Sequence, residues 1–141
     1  MNLARTASYN YFGITRIISD LYAAVATDRR LPEILDKVCH RYAVDVTGAA
    51  KILEGHQVNW AEDVPFLWLM LPEGWRAGAF KQAAEAEGVV LKSAEDFMLR
   101  NGRAVQAVRI AVNGHYSHYR FITSVRVLRR LLDYPYDQMT V

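Results

Sequence analysis

The sequence has little of several features that would define a function class by themselves. Its 141 residues include one cysteine, Cys39, so no disulfide can form within the chain and no cysteine-based zinc site has enough ligands. Lysine plus arginine number 17 and aspartate plus glutamate 15. The resulting net charge of +2 gives no reason to expect a nucleic acid or an anionic membrane as a partner.

Long apolar segments are also missing. Apolar runs such as residues 66–71 are far shorter than a membrane-spanning helix. The N-terminus has no basic segment followed by a long apolar core, so the sequence predicts neither a membrane span nor a signal peptide. Together with the single cysteine, these absences lead us to expect a cytoplasmic protein.

What is present is enough apolar material for a packed core. Hydrophobic residues make up 52% of the chain, and its length fits one domain over residues 1–141. Apolar residues recur at helical spacing over residues 14–26 and 29–54, with Pro32 in the first turn of the second segment. The sequence therefore predicts a helical N-terminal part, residues 14–54.

The second part, residues 64–132, alternates strand and helix patterns. Strands are predicted at 66–71, 89–91 and 107–112, and helices at 76–87 and 119–132. Strands interleaved with helices are typical of a two-layer α/β sandwich. We predict an α/β fold with a small three- to four-stranded sheet, helices packed on one of its faces, and two helices preceding it.

Several segments, in order, resemble the small domain of fold-type I aminotransferases, which use pyridoxal phosphate (PLP). They are LWLMLPEGW at residues 67–75, AAEAEGVVL at 83–91, Phe97, VRIAVNG at 108–114, and the closing helix with Leu128, Leu131 and Leu132. The resemblance is strongest to the aminotransferase-like half of GntR-type regulators of the MocR subfamily, and it covers about residues 14–132. Residues 92–94 depart from the family pattern, which often has a proline–glycine turn there.

The resemblance implies that the chain is the C-terminal small domain of a longer protein. In the family, a large upstream domain supplies the lysine that binds PLP. None of the lysines here, which are Lys37, Lys51, Lys81 and Lys92, lies in the serine–lysine segment that the family uses. We therefore expect no catalytic and no cofactor-binding residue in this chain, and no enzyme activity from it alone. PLP, and an amino acid or amine ligand, would belong to the parent protein, either a ligand-sensing regulator or an aminotransferase.

Arg109 is the candidate binding residue. In the family, the arginine of the corresponding strand holds the α-carboxylate of the substrate. Strand alternation puts Arg109 on one face with Ala107 and Ala111, whose small side chains leave room for a ligand. The planar guanidinium suits a carboxylate because it forms two parallel hydrogen bonds. The alternative is a surface arginine in an ordinary ion pair.

Other clusters favour structural roles. His115 and His118 have no evident third ligand, so we predict no metal site. The basic residues Arg120, Arg126, Arg129 and Arg130 on the last predicted helix are interpreted as a solvated face and not as a nucleic-acid surface. Trp68 is predicted to lie in the core, and Cys39 to pack as a small apolar side chain.

Two further expectations concern partners. The apolar stripe of residues 14–26 would be exposed in an isolated small domain, so we predict a homo-oligomer formed through that helix. The rival to the aminotransferase-like hypothesis is a free-standing small-molecule-binding or protein-interaction module that has no cofactor.

Overall fold

The computed structural model describes residues 15–98, 105–114 and 116–133. The chain divides into two compact units, of which the first ends at Val38 and the second begins at Cys39. The units are described separately below. The expectation that residues 1–141 form a single domain stays a prediction.

The first unit contains helix α1, Arg16–Ala26, and the beginning of helix α2, Leu31–Ile52. Residue 14, where the first helix was predicted to begin, lies outside the described residues. Before α2, the Arg30 amide donates a hydrogen bond to Oδ1 of Asp28 at 2.8 Å, as expected of a residue that caps a helix. The Arg30 side chain also bonds this carboxylate and lowers its pKa. The apolar residues that give α1 its amphipathic pattern are all exposed, namely Ile17, Ile18, Leu21, Tyr22 and Val25.

The second unit is built on a four-stranded antiparallel sheet. Its strands are β1 (Val58–Asn59), β2 (Phe66–Met70), β3 (Lys92–Ser93) and β4 (Ala107–Ala111), in the spatial order β1-β2-β4-β3. All five residues of β2 pair with β4, whereas β1 and β3 each contribute two residues. The central strands β2 and β4 therefore carry most of the sheet.

Helices cover one face of this sheet. They are the C-terminal part of α2, then α3 (Ala77–Ala86) and α4 (His118–Asp133). Because strand side chains alternate, one set from β2 and β4 faces these helices and becomes the core. The largest fully buried side chains of the unit are Phe80, Leu53, Leu67, Leu69, Leu128, Val46, Val108 and Val125.

Two contacts tie α2 to α4. A Cβ atom at Gly48 would lie 3.1 Å from Cδ1 of Ile122, so the glycine permits the close approach of the helices. One turn earlier, the buried carboxylate of Asp45 lies 2.9 Å from Nε of Arg41 and 2.5 Å from Nδ1 of His118. A buried carboxylate held by two partners fixes the position of α4 against α2.

The predicted fold class is confirmed: the chain is α/β, with a small sheet covered by helices on one face and preceded by helical segments. The strand predicted at residues 89–91 is wrong. Gly88 adopts a φ of +79°, and the Val89 amide donates to the Ala84 carbonyl at 2.8 Å, so this stretch closes α3. Strand pairing begins only at Lys92. Within the described ranges, no helix combines the length and apolar character needed to cross a bilayer.

Candidate functional site

Arg109 lies in the middle of the sheet face that points away from the core. It pairs with Trp68 of β2 on one side and with Lys92 of β3 on the other, and Trp68 in turn pairs with Asn59. Directly opposed residues in an antiparallel sheet point to the same side, so these four side chains form one row across the sheet. We call this side of the sheet the Arg109 face.

Aromatic rings surround the guanidinium group. Its Cζ atom lies 4.2 Å from the ring centroid of Phe97 and 5.5 Å from that of Phe66. The Phe97 ring also meets Trp68 edge to face at 5.5 Å between centroids. Phe97 is the last residue of a 3₁₀ turn, Ala94–Phe97. Ser93, which precedes the turn, forms a capping box with Asp96. Such cation–π contacts orient a guanidinium without neutralising its charge.

The hydrogen-bonding capacity of Arg109 is incompletely used. Its Nε atom is buried, and among the described residues no acceptor bonds it. No described carboxylate forms an ion pair with this arginine. A buried donor without a partner raises the free energy of the folded protein by about 1–3 kcal/mol. A hydrogen-bond acceptor on a ligand would remove this cost. The residue as a whole is only half-buried.

A groove of about 660 Å³ lies beside β4 on the helix-covered side of the sheet, since the buried residues Ile110, Val125 and Leu128 are among its lining residues. Its walls are residues 88–92, the end of β4 from Arg109 to Ala111, and the N-terminal half of α4. Its volume is in the range of about 300–1,000 Å³ that small-molecule sites occupy.

The other predicted site residues have separate positions. Residue 115 lies outside the described residues, and His118 contacts Asp45, not a metal cluster. In the described part of the chain, no three histidine, cysteine, aspartate or glutamate side chains are grouped to hold a metal ion. The expectation of no metal site stays a prediction.

On α4, two of the four clustered arginines form ion pairs with described residues. Arg129 pairs with Asp133 at 2.8 Å and donates to the Ile52 and Glu54 carbonyl oxygens at 3.0 and 2.6 Å, capping the end of α2. Arg130 pairs with Glu87 at 2.8 Å. These contacts support a structural interpretation of the two residues. The expectation that this domain does not bind nucleic acid stays a prediction.

Two predictions about single residues are wrong. Trp68 is half-buried and lies on the Arg109 face, because it is out of phase with the core residues Leu67 and Leu69 of the same strand. Cys39 is exposed on α2 and not packed as an apolar side chain. Pattern analysis also missed Lys92 and Arg120 as groove residues, since the groove forms only through the tertiary packing of β4 and α4.

Solved structures provide the only matches among the comparisons with known proteins, since no protein-family model and no curated protein matches the chain. A probable N-succinyldiaminopimelate aminotransferase from Thermus thermophilus matches 64% of this chain at 24% identity and a TM-score of 0.56. An α-aminoadipate aminotransferase from the same species, complexed with N-(5'-phosphopyridoxyl)-L-leucine, matches 74% at 22% identity and a TM-score of 0.59. A decarboxylase from Sulfurospirillum multivorans matches 92% at 16% identity and a TM-score of 0.67.

The chain has an aminotransferase small-domain-like α/β fold. It spans 24% of the length of the N-succinyldiaminopimelate aminotransferase and 28% of that of the α-aminoadipate aminotransferase. It spans 36% of the length of the decarboxylase. At these identities the likeness establishes the fold and not the activity. The likeness is to one part of much longer enzymes.

Proposed function

We propose that this chain is the small domain of a PLP-dependent aminotransferase-like protein, in which Arg109 anchors the carboxylate of an amino acid ligand. The observation that carries the proposal is the state of Arg109: oriented by Phe97 and Phe66, half-accessible, and without a described carboxylate partner. An incoming carboxylate would supply the missing acceptors and form the charge-assisted, two-fold bond for which a guanidinium is suited.

The described residues do not fit PLP by themselves. The residues around Arg109 are aromatic, with Lys92 beside them, and none of the described groove residues is acidic, so no carboxylate there could face a pyridinium nitrogen. Lys37 is engaged with Glu33 at 2.6 Å in the first unit. The proposal therefore places the cofactor on another domain of the parent protein, and this chain alone is not a catalyst.

For the parent protein, we propose a ligand-sensing regulator of the GntR/MocR type. The support is the sequence resemblance of residues 67–75, 83–91 and 108–114 to the aminotransferase-like half of those regulators. A carboxylate anchor serves a sensor as well as an enzyme, because both must recognise the ligand's α-carboxylate. The aminotransferases among the solved matches support the enzyme form of the same proposal.

The test is a titration of the 141-residue chain with L-leucine, followed by NMR. We expect weak binding that Arg109→Leu reduces at least about tenfold, as loss of a charged hydrogen-bonded contact implies. Arg109→Lys should restore little, since an ammonium lacks the planar fork. Arg126→Leu, on α4 and away from the groove, is the control. Equal leucine affinities of the unsubstituted chain and the Arg109→Leu variant would contradict the proposal.

A second measurement separates this proposal from a free-standing ligand-binding module. Incubation with PLP followed by borohydride should trap no stoichiometric adduct at a single lysine of the isolated chain. Tight binding of an amino acid by calorimetry, with no parent domain present, would favour the free-standing module. A stoichiometric lysine adduct would overturn the assignment of the cofactor to another domain.

A further inference from the structure

Access to Arg109 differs between the two directions along its own strand. Ala107 and Ala111 flank Arg109 on the same side of β4, because side chains two residues apart in a strand point to the same face. Ala107 is buried, with only 2% of its surface exposed, whereas Ala111 is exposed. The Arg109 face is therefore covered near Ala107 and open near Ala111.

The open end of this face has aromatic walls. Phe66 pairs directly with Ala111 across the sheet, so its half-buried ring lies beside the small alanine on the same face. The centroid of the Phe66 ring is 5.5 Å from Cζ of Arg109, and that of Phe97 is 4.2 Å from the same atom. Two rings therefore border the guanidinium where a ligand would reach it.

These rings are not used up by their contacts within the protein. Phe97 is 48% exposed although it contacts both Trp68 and Arg109. A ligand side chain that covered the remaining ring surface would bury apolar area, and an aromatic one would add the preferred geometry of a ring pair. The exposed part of the Phe97 ring is thus a surface on which an apolar side chain would bind.

The charges near Arg109 do not favour an acidic side chain to the same degree. Lys92, which pairs with Arg109 from the edge strand β3, is exposed, so water and salt screen its charge. Glu95 and Asp96, in the turn that ends at Phe97, carry the opposite charge. The surroundings of the anchor therefore favour an apolar ligand side chain.

We infer that the ligand of this domain is an amino acid with an aromatic side chain, which packs on Phe66 and Phe97 while Arg109 holds its α-carboxylate. Ala111 provides the space for that side chain, because a larger residue there would fill the open end of the face. The inference rests on the proposed function for the α-carboxylate and narrows the ligand class. It makes Phe66, Phe97 and Ala111 specificity-determining residues.

The experiment compares four probes on the 141-residue chain by NMR titration: L-phenylalanine, L-leucine, L-alanine and L-glutamate. We expect L-phenylalanine to bind about tenfold more tightly than L-alanine, with L-leucine between them, because apolar burial and ring contacts grow in that order. L-glutamate should bind no more tightly than L-leucine. If L-alanine or L-glutamate binds as tightly as L-phenylalanine, the inference is overturned.

Variants of the face locate the preference. Phe66→Leu and Ala111→Ile should each reduce the ratio of the L-phenylalanine and L-alanine affinities, the first by removing a ring and the second by filling the space. Tyr119→Leu is the matched control, since it removes an exposed ring on α4, which packs on the other face of the sheet. Thermal melts check that the three variants are folded. An unchanged ratio in both face variants, or an equal fall in the control, overturns the inference.

Failure of the underlying proposal gives a different result. If Arg109 does not anchor the α-carboxylate, Arg109→Leu leaves the L-phenylalanine affinity unchanged, and 2-phenylethylamine, which lacks the carboxylate, binds as tightly as L-phenylalanine. That outcome ends both the proposal and the inference. If the inference alone fails, Arg109→Leu weakens all the amino acids, but their affinities for the unsubstituted chain show no order by side-chain size.

Discussion

The two faces of the central sheet differ in every respect that matters for function. On the covered face, Leu67, Leu69 and Val108 are fully buried against helices and against each other. On the Arg109 face, one residue out of phase, Trp68 and Arg109 are only half-buried. The same two strands therefore carry a hydrophobic core on one side and a polar, aromatic surface on the other.

The difference teaches where stability and function reside. Burial of apolar side chains on the covered face provides the free energy that holds β2 and β4 in register. That register in turn places Arg109 between Trp68 and Lys92. The Arg109 face can retain an unpaired donor and neighbouring cations, because proteins tolerate such local costs at functional sites when packing elsewhere supplies the stability.

The largest expected effect comes from breaking the covered face. Leu67→Ala removes a side chain with no exposed surface from the middle of β2. Loss of burial and the cavity left behind should lower the free energy of unfolding by about 2–5 kcal/mol. Urea denaturation followed by circular dichroism measures it.

The comparison on the other face is Phe97→Ala. Phe97 is 48% exposed, and among the described residues its ring interacts with Trp68 and Arg109. We expect a loss of about 1–2 kcal/mol, from one aromatic pair and one cation–π contact. If Phe97→Ala proved as destabilising as Leu67→Ala, the separation of the two faces into stability and function would not stand.

Much of this fold follows from sequence pattern. The long helix was predicted at residues 29–54 and is observed at Leu31–Ile52, and the strands predicted at 66–71 and 107–112 are observed at Phe66–Met70 and Ala107–Ala111. These elements have strong periodicity or clear boundaries in proline and glycine. β1 was missed because two residues, Val58 and Asn59, are too short for a period to appear.

The site was predictable only in part. Alternation placed Arg109 away from Val108 and Ile110, which is what the strand shows. The groove was not predictable, because its lining residues come from separate parts of the chain that only the tertiary packing of β4 and α4 brings together. The correct phase of Trp68 also needed the register, since an apolar run has no internal sign of which residues face the core.

A smaller effect is expected where the covering helices are tied together. Asp45→Asn keeps the shape of the side chain but removes the charge that Arg41 and His118 contact. Both partners are about half exposed and regain solvation, so the loss should be about 1–2 kcal/mol.

Thermal melts at neutral pH measure the effect of Asp45→Asn, with the exposed Asp36→Asn on the same helix as its control. A melting temperature unchanged by Asp45→Asn would show that apolar packing alone holds α4. The stability of the covered face would then come entirely from its hydrophobic core.

The smallest effect should come from Asp133 at the far end of α4. The hydrogen bond from Arg129 lowers the pKa of this carboxyl below its ordinary value, and contact with His56 acts in the same direction. A lowered pKa in the folded state stabilises the fold above the unfolded-state pKa, and this contribution is lost as the pH falls through the folded-state pKa.

Asp133→Asn should therefore lower the melting temperature slightly at neutral pH and have no effect in strong acid. Melts between about pH 2 and 7 test this, with the exposed Asp63→Asn as control. A deficit that persisted unchanged at the acidic end would mean that Asp133 acts through shape and not through charge. In that case the hydrogen bond from Arg129 to the Ile52 carbonyl, and not the charge of Asp133, would be what matters at this end of α4.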